Sequence, residues 1–93
     1  MTLKISHSTQ FKKDLKLLQK RGYNLDLLGK VVDTLSKEQK LSTKYKNHAL
    51  TGSYKGYLEC HIKPDWLLIY KINADELILI LTRTGTHSDL FNK

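Results

Sequence analysis

The chain has 93 residues, a formal net charge of +7, 40% hydrophobic and 27% charged residues, and a single cysteine. That length supports one hydrophobic core and not two, so one domain over residues 1–93 is expected, and the composition points away from disorder. No apolar run nears the roughly 18 residues of a spanning helix, the first residues lack the apolar core of a signal peptide, and Cys60 alone permits neither a disulfide nor a thiolate zinc site. The expectation is a cytoplasmic protein with no membrane contact.

The charge is uneven. Residues 1–47 carry eleven Lys+Arg against four Asp+Glu, and residues 48–93 five against five. A surface of this kind suits a polyanion, through counterion release, or an acidic protein partner, through steering. A solvated helix face that only aids solubility is equally compatible with it.

In chain order, Leu3 to Ser6 alternates and predicts a short strand. Ser8 or Thr9 can cap a helix in which Phe11, Leu15 and Leu18 form the apolar stripe among many lysines. After Gly22, Asn24 caps a second helix with Leu28, Val31, Val32 and Leu35 at helical spacing, and the short connection predicts an antiparallel pair. Gln39 to Ser53 keeps no period and reads as an ordered, basic loop that carries His48, anchored by Leu41, Tyr45 and Leu50.

Three strands follow. Tyr54 to Ile62 alternates, with Cys60 on one face and Glu59 and His61 on the other. Trp66 to Ile72 and Leu77 to Thr82 are nearly continuous apolar runs, as expected of central strands covered on both faces, with turns at Lys63-Pro64-Asp65 and Asn73 to Glu76. The predicted fold is α+β: a short N-terminal strand and a helical hairpin packed on a mainly antiparallel sheet of three to four strands.

The free face of such a sheet can gather His61 and Asp65 with Arg83 and His87 from the C-terminal stretch. Metal-independent RNA cleavage needs a base for the ribose 2′-OH, a cation for the phosphoryl oxygens and an acid for the departing 5′ oxygen. Histidine suits the proton transfers and arginine the cation. Trp66, Tyr70 and Phe91 are aromatic groups that could stack on bases, although Trp66 and Tyr70 equally suit a core. Against this, Asp65 could serve only as a turn former and Arg83 as a surface partner of Glu59 or Asp89, and His7 stands alone. His48, His61 and His87 match no zinc-ligand spacing. The residues alone leave a nuclease and a basic binding module both open.

Two blocks are more specific: H-x-K-P-D-W-x-L-I-Y, from His61 to Tyr70, and R-T-G-T-H-x-x-L-F, from Arg83 to Phe91. With the preceding H-A-L-T-G-S-Y-K-G-Y-L-E-C run, they resemble the YafQ-type branch of the RelE/ParE toxin superfamily over essentially the whole chain. The resemblance implies a RelE-like fold and a toxin of a type II toxin-antitoxin module that enters the ribosomal A site, cuts mRNA without a metal or cofactor, and is neutralised by a cognate antitoxin. It implies catalytic roles for His48, His61, Asp65, Arg83 and His87, with His87 as general acid, Arg83 on the phosphate, His61 or Asp65 as base, and His48 assisting. Trp66 and Phe91 would shape the base pocket, and Lys55 and Lys63 complete the expected substrate contacts.

One departure is the His48-Ala49-Leu50-Thr51-Gly52 segment, where relatives commonly have H-P-L-x-G; the missing proline loosens the backbone after His48. The basic first half becomes a surface for ribosomal RNA and for an acidic segment of the antitoxin, within a toxin-antitoxin hetero-oligomer. The alternative within the superfamily is a non-enzymatic, ParE-like toxin that binds a protein target such as gyrase.

Overall fold

Ser8 joins the first strand to the first helix. In the computed structural model, which describes residues 2–91, its hydroxyl oxygen accepts from the Phe11 N–H at 2.9 Å and its O–H donates to the Thr82 carbonyl at 2.7 Å. Strand β1 (Lys4–His7) thus leads directly into α1 (Thr9–Lys20). Asn24 opens α2 (Leu25–Ser36) by accepting from the Asp26 N–H at 3.1 Å. Both caps supply an oxygen to a first-turn N–H that has no partner within the helix.

Four strands follow: β2 (His48–Ala49), β3 (Leu58–Lys63), β4 (Trp66–Asn73) and β5 (Ile78–Gly85). A short helix, α3 (His87–Phe91), comes after them. The sheet order is β1-β5-β4-β3-β2, with β1 parallel to β5 and the other pairs antiparallel. The α+β class is as expected, but the sheet has five strands where three to four were expected. The extra strand is β2, two residues long and too short to leave an alternation in the sequence. The strand expected from Tyr54 begins only at Leu58, because Gly52–Tyr54 closes into a 3₁₀ turn.

Alternation divides the core. Cys60, Trp66, Leu68, Tyr70, Leu79 and Leu81 face the helices, where Phe11, Leu18, Leu28, Val31 and Leu35 meet them. On the opposite face Leu67 and Ile69 are covered by Leu90 and Phe91 of α3 and by Leu50, Tyr54 and Tyr57. Strand β4 is therefore covered on both sides, as its unbroken apolar run predicts.

Trp66 is 2% exposed, and its indole N–H donates to Thr84 Oγ1 at 2.9 Å while the Thr84 hydroxyl donates to the Leu67 carbonyl at 2.8 Å. The expectation that Trp66 shapes a base pocket is corrected here: the ring is sealed in the core and its one polar group is used. Replacing Trp66 with phenylalanine is expected to cost about 2 kcal/mol, from a lost buried hydrogen bond and an unfilled volume. An unchanged urea midpoint would show that the indole bond contributes nothing.

Candidate active site

The C-terminal stretch is shaped by its own polar side chains. Thr86 Oγ1 accepts from the Asp89 N–H at 3.0 Å, and Asp89 Oδ2 accepts from the Thr86 N–H at 3.0 Å. This reciprocal capping box starts α3 at His87. Gly85 before it has φ +156°, and a Cβ there would lie 2.9 Å from Asp89 Oδ2, so the close turn requires glycine.

Asp89 also takes two bonds from Arg21 at the end of α1, at 2.7 and 3.1 Å. Arg21, foremost, holds the Asp89 carboxyl down at about 2, against 3.8 ordinarily. Because the folded pKa lies below the unfolded one, this contribution is complete above about pH 4 and is lost as the pH falls through 2. Arg21→Ala should therefore be less stable than the parent at neutral pH and equal to it below pH 2. A stability difference that persisted in strong acid would contradict the assignment.

His87 is gripped from the β3–β4 turn. Asp65 Oδ1 accepts from the His87 backbone N–H at 2.9 Å and lies 2.5 Å from its Nδ1. A carboxylate can only accept, so Nδ1 carries a hydrogen and Nε2 is left for a ligand. The same two bonds from His87, the backbone one first, lower the Asp65 pKa, keeping the carboxylate ionised. The Pro64-Asp65 turn brings Asp65 into reach, since Lys63 and Trp66 pair directly across it.

His61 lies beside His87, with ring centroids 5.7 Å apart, and beyond it His48 lies at 6.3 Å. Beneath this row sits Glu59, only 6% exposed, with Oε1 3.2 Å from His61 Nε2 and 4.0 Å from His48 Nε2. Glu59 and His61 share a face by strand parity, and His48 pairs with Glu59 across β2 and β3. His48 Nδ1 donates to the Lys46 carbonyl at 2.7 Å. Strand pairing and this bond hold the ring without a proline at position 49.

Asp65, His87, His61 and His48 thus converge as expected. Glu59 joins them; the alternation had put it on the face of His61, but the only role offered for it was as a surface partner of Arg83. Arg83 is tied to α1. Its Nε and Nη2 donate to Asp14 at 2.9 and 3.2 Å, and Asp14 also accepts from the Thr84 N–H at 3.1 Å. Asp14 beside it, with Tyr54 as a lesser neighbour, raises the guanidinium's pKa above its already high ordinary value. The expected surface pairing of Arg83 with Glu59 or Asp89 is corrected: its partner is Asp14 on α1.

Asp14 was missed, although its position three residues after Phe11 and four before Leu18 places a carboxylate on the buried stripe of α1. Phe91 is half-buried, edge-on to Tyr54 at 5.9 Å, and Lys55 and Lys63 are exposed. Among the described residues, Glu59, His61 and His87 could hold a metal ion, since each has a ligand atom within 4.8 Å of the others.

Residues 3–92 match the family described as "Bacterial toxin of type II toxin-antitoxin system, YafQ". The chain belongs to the YafQ toxin family. The mRNA interferase toxin YafQ of Escherichia coli K12 is 43% identical over 88 residues, 94% of each chain. A metal-bound toxin from Helicobacter pylori superposes with a TM-score of 0.91 at 53% identity, covering 96% of this chain and 99% of the other. YafQ in the E. coli DinJ-YafQ toxin-antitoxin complex gives 0.88 at 41% identity, covering 98% and 99%. The sheet, the helices and the two C-terminal blocks therefore lie within a YafQ fold from end to end.

Proposed function

We propose that this YafQ-family chain is the toxin of a type II toxin-antitoxin module and an mRNA endoribonuclease acting on the ribosome, with His61 and His87 as its proton-transfer pair. The observation that carries the reading is the row of imidazoles held by carboxylates: two rings 5.7 Å apart, one gripped by Asp65 and one beside Glu59. A phosphodiester placed between them meets a base on one side and an acid on the other.

His61 takes the proton from the 2′-OH, and Glu59 offers a countercharge to the imidazolium that results. The 2′ oxygen attacks phosphorus and the bond to the 5′ oxygen breaks. His87, acting as the imidazolium with Nδ1–H held by Asp65, gives its Nε2 proton to that oxygen. The products are a 2′,3′-cyclic phosphate and a 5′-OH end. His48 lies one ring further along the row and assists by position. Arg83, its guanidinium fixed by Asp14, supplies the cation for the phosphoryl oxygens, with Phe91, Lys55 and Lys63 as further substrate contacts. The uneven charge suits ribosomal RNA and an acidic segment of a cognate antitoxin, by analogy with the DinJ complex of the E. coli relative.

Translating ribosomes incubated with the purified protein test this. Cleaved mRNA with 5′-OH ends is expected, and intact mRNA would overturn the reading. The metal-bound H. pylori relative favours a second reading of Glu59, His61 and His87, as ion ligands. An ion there would occupy the nitrogens that the proton transfers need, so cleavage should persist in excess chelator. Cleavage abolished by chelator and restored by added metal would reverse the assignment.

A further inference from the structure

Beside His61, on the side away from His87, a cavity of about 370 Å³ opens at the free edge of β3 beyond the end of β2. Lys44, Lys46 and Lys63 stand around it, and Leu27, Ile62 and Pro64 form its apolar wall. None of the three lysines forms an ion pair among the described residues, and no carboxylate lines the cavity. Lys44 Nζ lies 5.1 Å from the centroid of the Tyr45 ring, which presents the ammonium at the rim. Lys46 holds φ +49°, and its carbonyl is the group bonded to His48, so the backbone that fixes His48 also sets this lysine.

The volume lies within the roughly 300–1,000 Å³ typical of small-ligand sites, and lysines around an apolar wall are what a nucleotide requires, with phosphate on the ammoniums and base against the wall. Its direction follows from the proposed chemistry, on which this inference rests. His61 touches the ribose whose 2′-OH attacks, and His87 the oxygen of the next nucleotide, so RNA leaving the site past His61 runs toward the 5′ end. The geometry points to this lysine-rimmed cavity as a second subsite, which holds the phosphate and base of the nucleotide immediately 5′ of the attacking ribose. Lys44 and Lys46 would bind the phosphate there, and Leu27 and Ile62 the base.

The experiment uses ribosomes programmed with an mRNA that is 2′-deoxy at the attacking ribose and carries one 4-thiouridine, placed either in the nucleotide immediately 5′ of that ribose or in the nucleotide immediately 3′ of the cleavage step. The 5′ probe thus sits in the nucleotide preceding the attacking ribose, two positions 5′ of the cleavage step; after irradiation with the full-length toxin it should crosslink within residues 44–46 or 61–64, and the 3′ probe should not. Lys44→Ala/Lys46→Ala should lose most of the 5′ crosslink while retaining the parent's unfolding transition. A parallel mRNA with an intact ribose reports cleavage. If it is cut but the 5′ probe crosslinks elsewhere, or both probes mark the cavity equally, the subsite is wrong and the nuclease reading stands. If it is not cut, the nuclease reading falls and the subsite with it.

Discussion

Replacing His87 with glutamine is expected to lower mRNA cleavage about 10²–10⁴-fold, the range a general acid contributes, while leaving the unfolding transition close to the parent's. Glutamine preserves polarity and approximate size but cannot deliver a proton to the leaving oxygen. The backbone N–H that donates to Asp65 remains, so α3 keeps its attachment to the β3–β4 turn. Asp65→Asn should cost less than His87→Gln, because an amide can still accept from Nδ1. Asp65 acts through His87, so Asp65→Asn added to His87→Gln should bring no further loss. Single-turnover rates on programmed ribosomes would decide this. Multiplying losses would mean that Asp65 meets the substrate itself and that the base must be reassigned.

The second large effect concerns stability. Asp14 is 7% exposed and accepts four bonds, two from Arg83, one from the Thr84 backbone and one from Gln10 Nε2. Asp14→Ala leaves a partly buried guanidinium and a buried N–H without their acceptor and should cost about 3–5 kcal/mol. Asp14→Asn keeps an acceptor oxygen but removes the charge, and should fall between the alanine variant and the parent. Urea unfolding measures both. A loss below about 1 kcal/mol for the alanine variant would mean that Arg83 readily finds another partner.

The parts of the fold that repeat with a period were legible in the sequence: the stripes of both helices, the alternation around Cys60, and the doubly covered run of β4. Strand β2 was not, since two residues cannot show an alternation and its pairing depends on β3 being in place. The site divides in the same manner. His61, Asp65 and His87 could be gathered from chemistry and from a turn, because Pro64-Asp65 fixes the geometry locally. The partners of Arg83 could not be chosen this way. Asp14, Glu59 and Asp89 were all available carboxylates, and only the packing of α1 on β5 gives Asp14 to Arg83, leaving Asp89 to Arg21 and Glu59 to the histidines. Trp66 was misplaced because a motif cannot distinguish an aromatic that meets a base from one that holds the strand beneath the site.

The parallel pairing of Lys4 with Ile78 sets an order of events during synthesis. Strand β1 emerges first, yet it has no neighbour until β5 has also emerged, and the helical hairpin made meanwhile has no sheet to cover. Since α3 follows β5, His87 is the last of the proposed proton-transfer groups to arrive. A nascent chain that ends before β5 therefore carries neither the finished sheet nor the proposed acid, and the proposed activity waits for α3.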